Sequence, residues 1–123
     1  MRSVETTIGL EVPAPDLDGA ALFLDLDGTL APIADHPDQV GPDPRRNHLL
    51  DRLADRLDGR VAVISGRALP DLDRILERRP TAVGAVHGLV RRDAFGRVHE
   101  PRPHAEIGAA RRALRISCRT VPD

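Results

Sequence analysis

The sequence predicts an α/β fold in which a parallel sheet is flanked by helices. Three short apolar runs, residues 20–28, 60–65 and 81–88, alternate with two segments of helical apolar spacing. That order builds right-handed strand–helix–strand units. Each run also closes on polar or glycine-bearing residues: Asp25 to Gly28, then Ser65-Gly66-Arg67, then His87-Gly88. In open α/β sheets, ligands bind beyond the carboxyl ends of the strands, so these three ends are the places to look for chemistry.

Taken in order, residues 1–19 hold Pro13, Pro15, Asp16, Asp18 and Gly19 and read as an irregular lead-in. The run AALFLDLDG (20–28) lacks alternation and predicts a strand buried on both faces. Residues 29–44 carry four prolines and form a loop whose length points to function. A helix then opens with Asp43 as N-cap and Pro44 at its first position. Leu49, Leu50, Leu53, Ala54 and Leu57 form its apolar side, and Gly59 ends it in a left-handed cap. RVAVIS (60–65) is the second strand. Pro70 opens a second helix, apolar at Leu72, Ile75 and Leu76, which Pro80 stops. TAVGAVHG (81–88) is the third strand, and LVRRDAFGRVHE predicts a hairpin turning near Asp93–Gly96. AEIGAARRALR forms a last helix, with ISCRTVPD as a tail. The division is therefore 1–19 as an irregular lead-in and 20–123 as a portion of a larger α/β core.

Composition removes several classes of function. The 123 residues carry a formal charge of −1, and all 18 basic residues are Arg because no Lys occurs. Phe23 and Phe95 are the only aromatic residues, so the core must be built from Leu, Val, Ile and Ala. A single cysteine, Cys118, forms no internal disulfide and points to a reducing cytoplasm; lying outside every motif, it is expected to be inert. No run approaches the roughly 20 apolar residues of a membrane span. The N-terminus carries Glu5 and Glu11 and no apolar core of a signal peptide. Arg pairs at 45–46, 78–79, 91–92 and 111–112 have acids between or beside most of them. They read as solvated helix ends and edges, not as a nucleic-acid track.

Asp25-Leu26-Asp27-Gly28-Thr29 is the richest segment. Two carboxylates two residues apart at a strand end suit a hard cation, and their repulsion separates an ionised nucleophile from a protonated acid. Gly28 permits a sharp turn and close approach of a ligand to the backbone. An EF-hand fails, because its glycine is the sixth loop position and Gly28 is the fourth from Asp25. His99 and His104 are separated by two prolines, which argues against a shared metal site.

LFLDLDGTL resembles motif I of the haloacid dehalogenase (HAD) superfamily, and VAVISGR resembles its motif II. LFLDLDGTLAPI, VAVISGR and AVHGLVRRDAFGRVHEP together resemble the N-terminal part of trehalose-6-phosphate phosphatases, over roughly residues 20–103. The resemblance implies a HAD-like Rossmannoid sheet and an enzyme, a Mg²⁺-dependent phosphatase of trehalose 6-phosphate. It makes Asp25 the nucleophile of an aspartyl-phosphate route and Asp27 the general acid/base. Mg²⁺ would sit on the Asp25 carboxylate and the Asp27 carbonyl. Gly28, Thr29, Ser65, Gly66, Arg67, His87 and Gly88 fall among the implied phosphate and sugar contacts, with Ser65 and the Gly66 amide at a helix start.

Departures accompany it. The family has a glutamate soon after its HG pair, where Val90 stands here. Its cap domain, its motif III lysine and its acidic motif IV have no counterpart in these residues. The chain is accordingly expected to be the N-terminal portion of a HAD-like core, with the first strand left as an apolar edge open to association. Two other readings compete: a non-catalytic binding module, and a HAD phosphatase for another sugar phosphate.

Overall fold

The structure, a computed structural model, describes Glu11 and residues 14–119, with the helical backbone alone over 116–119. Most of the predicted lead-in, the end of the predicted tail and the expected inertness of Cys118 therefore lie outside the described residues and side chains. In chain order the elements are β1 (Leu22–Asp25), a 3₁₀ turn (Pro37–Gln39), α1 (Pro44–Arg56), β2 (Val61–Ile64), α2 (Leu69–Leu76) and β3 (Val83–Ala85). A second 3₁₀ turn (Val86–Gly88), β4 (Val90–Arg92), β5 (Val98–His99) and α3 (Ile107–Arg119) follow. One five-stranded sheet runs β1-β2-β3-β4-β5; the first three strands are parallel and the hairpin joins β3 antiparallel. The predicted parallel sheet thus gains an antiparallel margin.

The registers Leu24↔Val63 and Val63↔Val83 line up one face of the sheet. On that face Val63, Val83 and Ala85 pack against Leu50 of α1 and Leu72, Ile75 and Leu76 of α2. The other face differs from the expectation. Phe23 is 69% exposed and Ile64 is 38% exposed, so β1 is covered on one side only. A continuous apolar run satisfies a one-sided strand as well as a two-sided one. Ile64 lies across Gly84, where an added Cβ would stand 2.9 Å from its Cδ1. Among the described residues β1 has no neighbour on its outer edge.

Helix α1 starts as predicted: Asp43 Oδ1 accepts the main-chain N–H groups of Arg45 and Arg46 at 2.9 and 3.5 Å. At its end the Gly59 N–H reaches the Ala54 carbonyl at 2.8 Å with Gly59 at φ +75°. Its buried side is rotated from the predicted one. Leu49 is exposed, whereas Arg46 and Asn47 are buried with Leu50 and Leu57. Arg46 tolerates burial because its Nη2 donates to the carbonyls of Gly41 and Ile75 at 2.9 and 2.8 Å, although loss of water pulls its pKa below the usual arginine range. Helix α2 ends at Leu76, not at Pro80, because Glu77 and Arg78 turn left-handed at φ 51° and 64°. Asn47 Nδ2 donates to the Glu77 carboxylate there at 2.8 Å. Helix α3 runs on through the first residues of the predicted tail, to Arg119.

The hairpin turns where predicted. Asp93 Oδ1 accepts the N–H groups of Phe95 and Arg97 at 3.0 Å each, Oδ2 lies 2.8 Å from His99 Nε2, and Gly96 sits at φ +83°. The contact with His99, then those with Arg97 and Phe95, hold the Asp93 carboxyl below its ordinary value. A carboxyl lowered in the folded state stabilises above its unfolded value, near pH 3.9, and that stabilisation is lost as pH falls through the folded value. The amide shifts of Phe95 and Arg97 are therefore expected to hold constant from neutral pH to about pH 4 and to move toward unstructured values below it. Amide shifts that stay constant through the acid range would show that the Asp93 carboxylate does not hold the turn.

Candidate active site

The alternation of β1 continues past its last ladder residue. Leu26 is fully buried in the core, which turns Asp25 and Asp27 away from it. The Leu26 carbonyl accepts three successive N–H groups, from Thr29, Leu30 and Ala31, at 3.2, 3.0 and 2.9 Å. This closes the turn that Gly28, at φ +86°, makes possible. Among the described residues the Asp25 carboxylate has one bond, from the Leu26 N–H at 2.9 Å.

Asp27 is held differently. Arg67 Nε and Nη2 donate to its two carboxylate oxygens at 2.9 and 2.8 Å, a bidentate fork. Arg67 Nη1 donates to Asp71 Oδ2 at 2.6 Å and to the Pro37 carbonyl at 2.8 Å. The hydrogen bonds from Arg67 hold the Asp27 carboxyl below its ordinary value against the opposing effect of burial. Burial likewise opposes ionisation of Asp71, and the bonds from Arg67 and Arg74 outweigh it. Arg67 in turn is held more firmly protonated, chiefly by Asp27.

Ser65 is buried at the end of β2, its N–H on the Gly84 carbonyl at 2.9 Å and its Oγ accepting the Arg67 N–H at 3.2 Å. The helix that follows starts at Leu69, so Ser65 and Gly66 precede it by a short turn and do not open it. After β3, Val86 and His87 both adopt left-handed backbone, φ 50° and 55°. A β-branched residue there is strained. Cross-links compensate: the Val86 N–H reaches the Arg67 carbonyl at 2.9 Å and the His87 N–H reaches the Ser65 carbonyl at 3.0 Å. The result presses the imidazole onto Gly66, where an added Cβ would stand 2.6 Å from Cε1 and 2.7 Å from Nε2. Gly66→Ala is expected to swing the exposed His87 ring outward, shifting its ring-proton resonances while stability changes by less than about 1 kcal/mol. Unchanged His87 resonances would contradict this packing.

A cavity of about 660 Å³ unites these ends: Asp25, Asp27, Ser65, Gly66, Arg67 and His87 line it with Ile33, Ala34, Pro37 and Asp71. Gly28, Thr29 and Gly88 do not line it; Gly28 shapes the turn beneath. Asp71 and the loop residues were absent from the sequence-derived set. The one signal for Asp71 is its position four residues beyond Arg67, the spacing of a helical ion pair.

A hard cation such as Mg²⁺ accepts one or two protein carboxylates, taking its other oxygens from water and phosphate. The residues present fit that habit in part. Asp25 offers a carboxylate, and none of the turn's main-chain N–H groups ends on the Asp27 carbonyl. The Asp27 carboxylate, by contrast, has both oxygens on Arg67. Among the described residues no cluster of three His, Cys, Asp or Glu side chains forms a further metal site. No described helix is long and apolar enough to cross a membrane.

Comparison with known proteins converges on one family. The sequence model described as trehalose-phosphatase matches residues 23–113. A probable trehalose-phosphate phosphatase of Sinorhizobium fredii is 39% identical over 98 residues, which is 80% of this chain and 37% of that protein. The trehalose-6-phosphate phosphatase of Escherichia coli is 44% identical over 79 residues, 64% of this chain and 30% of that one. The chain thus spans about a third of the length of these curated relatives. Among solved structures, a trehalose-6-phosphate phosphatase related protein superposes with a TM-score of 0.64 at 24% identity, over 81% of this chain and 42% of its own. A haloacid dehalogenase-like hydrolase from B. subtilis superposes with a TM-score of 0.51 at 28% identity, over 80% of this chain and 33% of its own.

Proposed function

This chain belongs to the trehalose-phosphatase family and carries part of a haloacid dehalogenase fold, and from that premise we propose that it handles the phosphate of trehalose 6-phosphate in a Mg²⁺-dependent hydrolysis. The observation that carries the reading is the convergence of three strand ends on one cavity, with Asp25, Asp27, Ser65 and His87 all on its wall. Residues 20–123 are in this reading the N-terminal portion of the phosphatase core, acting in the reducing cytoplasm that a single cysteine suggests. The free edge of β1 makes strand-to-strand association part of the same proposal.

In the first half-reaction an Asp25 carboxylate oxygen attacks phosphorus while the bond to the sugar oxygen breaks. That oxygen takes its proton from Asp27. In the second half a water attacks the aspartyl-phosphate, gives its proton to Asp27 and restores the Asp25 carboxylate with release of inorganic phosphate. Arg67 favours the ionised form of Asp27, contrary to the protonated acid expected from carboxylate repulsion; this suits acceptance of the proton from water and works against the acid step of the first half. Ser65 Oγ–H and the Gly66 N–H are the donors for the phosphoryl oxygens. Mg²⁺ held by the Asp25 carboxylate and the Asp27 carbonyl would neutralise phosphoryl charge.

The test is phosphate release from trehalose 6-phosphate with Mg²⁺, run beside Asp25→Asn and with glucose 6-phosphate as competitor. Release that Asp25→Asn removes and that glucose 6-phosphate does not suppress is the expected result. Equal release from both proteins overturns the enzymatic reading, and faster release from glucose 6-phosphate alone than from trehalose 6-phosphate reassigns the sugar. The occupation of both Asp27 carboxylate oxygens by Arg67 favours, as the second reading, a module that binds phosphate without turnover. Broadening of the inorganic phosphate ³¹P line by a protein that releases none would identify it.

A further inference from the structure

We propose that Asp71 is a positioning residue: it fixes the Arg67 guanidinium, and through it the carboxylate of Asp27. Arg67 thereby serves as a strut inside the protein and is not a free ligand for substrate phosphate. The role of Asp27 rests on the reading above; the geometry does not.

A guanidinium has five N–H donors. Arg67 uses its Nε and Nη2 on Asp27 and its Nη1 on Asp71 and Pro37. One Nη2 hydrogen is left, and the side chain is 9% exposed. A bidentate phosphate would have to displace Asp27 or Asp71. Asp71 is itself a bridge between two arginines. Its Oδ2 takes Arg67, while its Oδ1 takes Arg74 Nε and Nη2 at 3.1 and 2.7 Å. Both arginines then grip the loop that follows β1, Arg67 at the Pro37 carbonyl and Arg74 at the Val40 carbonyl, 3.0 Å away.

Position in the helix supports the arrangement. Asp71 lies in the first turn of α2, where a negative charge is favoured by the exposed N–H groups. An ordinary surface pair at this spacing would leave its arginine in water, and Arg67 is not in water. Without the Asp71 charge, Arg67 Nη1 keeps only a neutral carbonyl. The fork on Asp27 then loses the contact that sets its plane.

Two measurements test the proposal. In ¹⁵N-arginine-labelled protein, the Arg67 Nε–H resonance, assigned by its loss in Arg67→Lys, reports the fork directly. Asp71→Asn is expected to speed its exchange with water about tenfold or more, and Asp71→Glu to recover part of the protection. The Arg92 Nε–H, bonded to the Thr81 carbonyl at 2.8 Å, stays protected and shows that the variant is folded. Unchanged Arg67 exchange in Asp71→Asn overturns the proposal, whatever the activity. Where the chain turns over trehalose 6-phosphate, Asp71→Asn lowers kcat about 10- to 100-fold with KM within about twofold. A raised KM with kcat intact would make Asp71 a substrate contact and also overturns it. A chain that never turns over refutes the enzymatic reading while the exchange result still decides the role of Asp71.

Discussion

On the function proposed above, Asp25→Asn is expected to reduce phosphate release from trehalose 6-phosphate by roughly 10⁴- to 10⁶-fold, with the melting temperature unchanged within about 2 °C. The two halves of that statement have separate physical sources. Asp25 is exposed at the end of β1, and among the described residues its one side-chain bond is the Leu26 N–H on Oδ1. An asparagine oxygen accepts the same bond, and the main-chain ladder to β2, in which Asp25 faces Ile64, is untouched. The fold therefore has little to lose. A carboxamide, however, is not a competent nucleophile toward phosphorus, so the covalent route closes. Phosphate-monoester hydrolysis is among the slowest reactions in water and leaves almost no background to hide the loss. Release assays with circular-dichroism melts check both halves. A large fall in melting temperature would make Asp25 a structural residue.

Arg92→Ala is expected to be strongly destabilising. The Arg92 side chain is 1% exposed. Its Nη1 contacts both oxygens of Asp73 at 2.7 and 2.9 Å, and its Nε donates to the Thr81 carbonyl at 2.8 Å. It thus joins β4 to α2 and to the turn before β3. Truncation leaves the Asp73 carboxylate and the Thr81 carbonyl without their donor and empties the volume of a long side chain. Breaking a buried pair costs about 3–5 kcal/mol, and the lower end applies because Asp73 keeps some water and has Arg78 beside it at 3.6 Å. About 3 kcal/mol in a domain of this size is a melting temperature lower by more than about 10 °C. The double variant Arg92→Met with Asp73→Leu removes both charges and is expected to recover part of the loss. Urea unfolding of the single and double variants measures the coupling. A loss below about 1 kcal/mol in Arg92→Ala would show that the pair contributes little.

Much of this architecture could be read from residues whose chemistry is local. Asp43, Pro44 and Gly59 mark the ends of α1 because caps and left-handed turns depend on the residue in place, and Asp93 and Gly96 mark the hairpin for the same reason. The candidate site was legible at Asp25, Ser65 and His87 because each falls at the end of an apolar run. What escaped depends on partners distant in the chain. Leu49 shares the helical spacing of Leu50 yet faces water, because the carbonyls of Gly41 and Ile75 draw Arg46 inward and rotate the buried side. The uncovered face of β1 escaped because Leu22-Phe23-Leu24 reads alike whether one side or both are covered. The strut between Asp27 and Arg67 joins residues 40 apart, and no spacing rule announces such a pair.

The three arginines that hold main-chain carbonyls of residues 37–41 also set an order of events in time. Arg67, Arg74 and Arg46 grip Pro37, Val40 and Gly41 across 30, 34 and 5 residues. The first two donors belong to α2 and its approach, which must be in place before they can reach. The segment after β1 is therefore expected to close late in folding, after the strands and helices have met, so that substitutions at Arg74 would give φ-values near zero. By the same logic it opens early in unfolding, and the cavity comes apart before the sheet does.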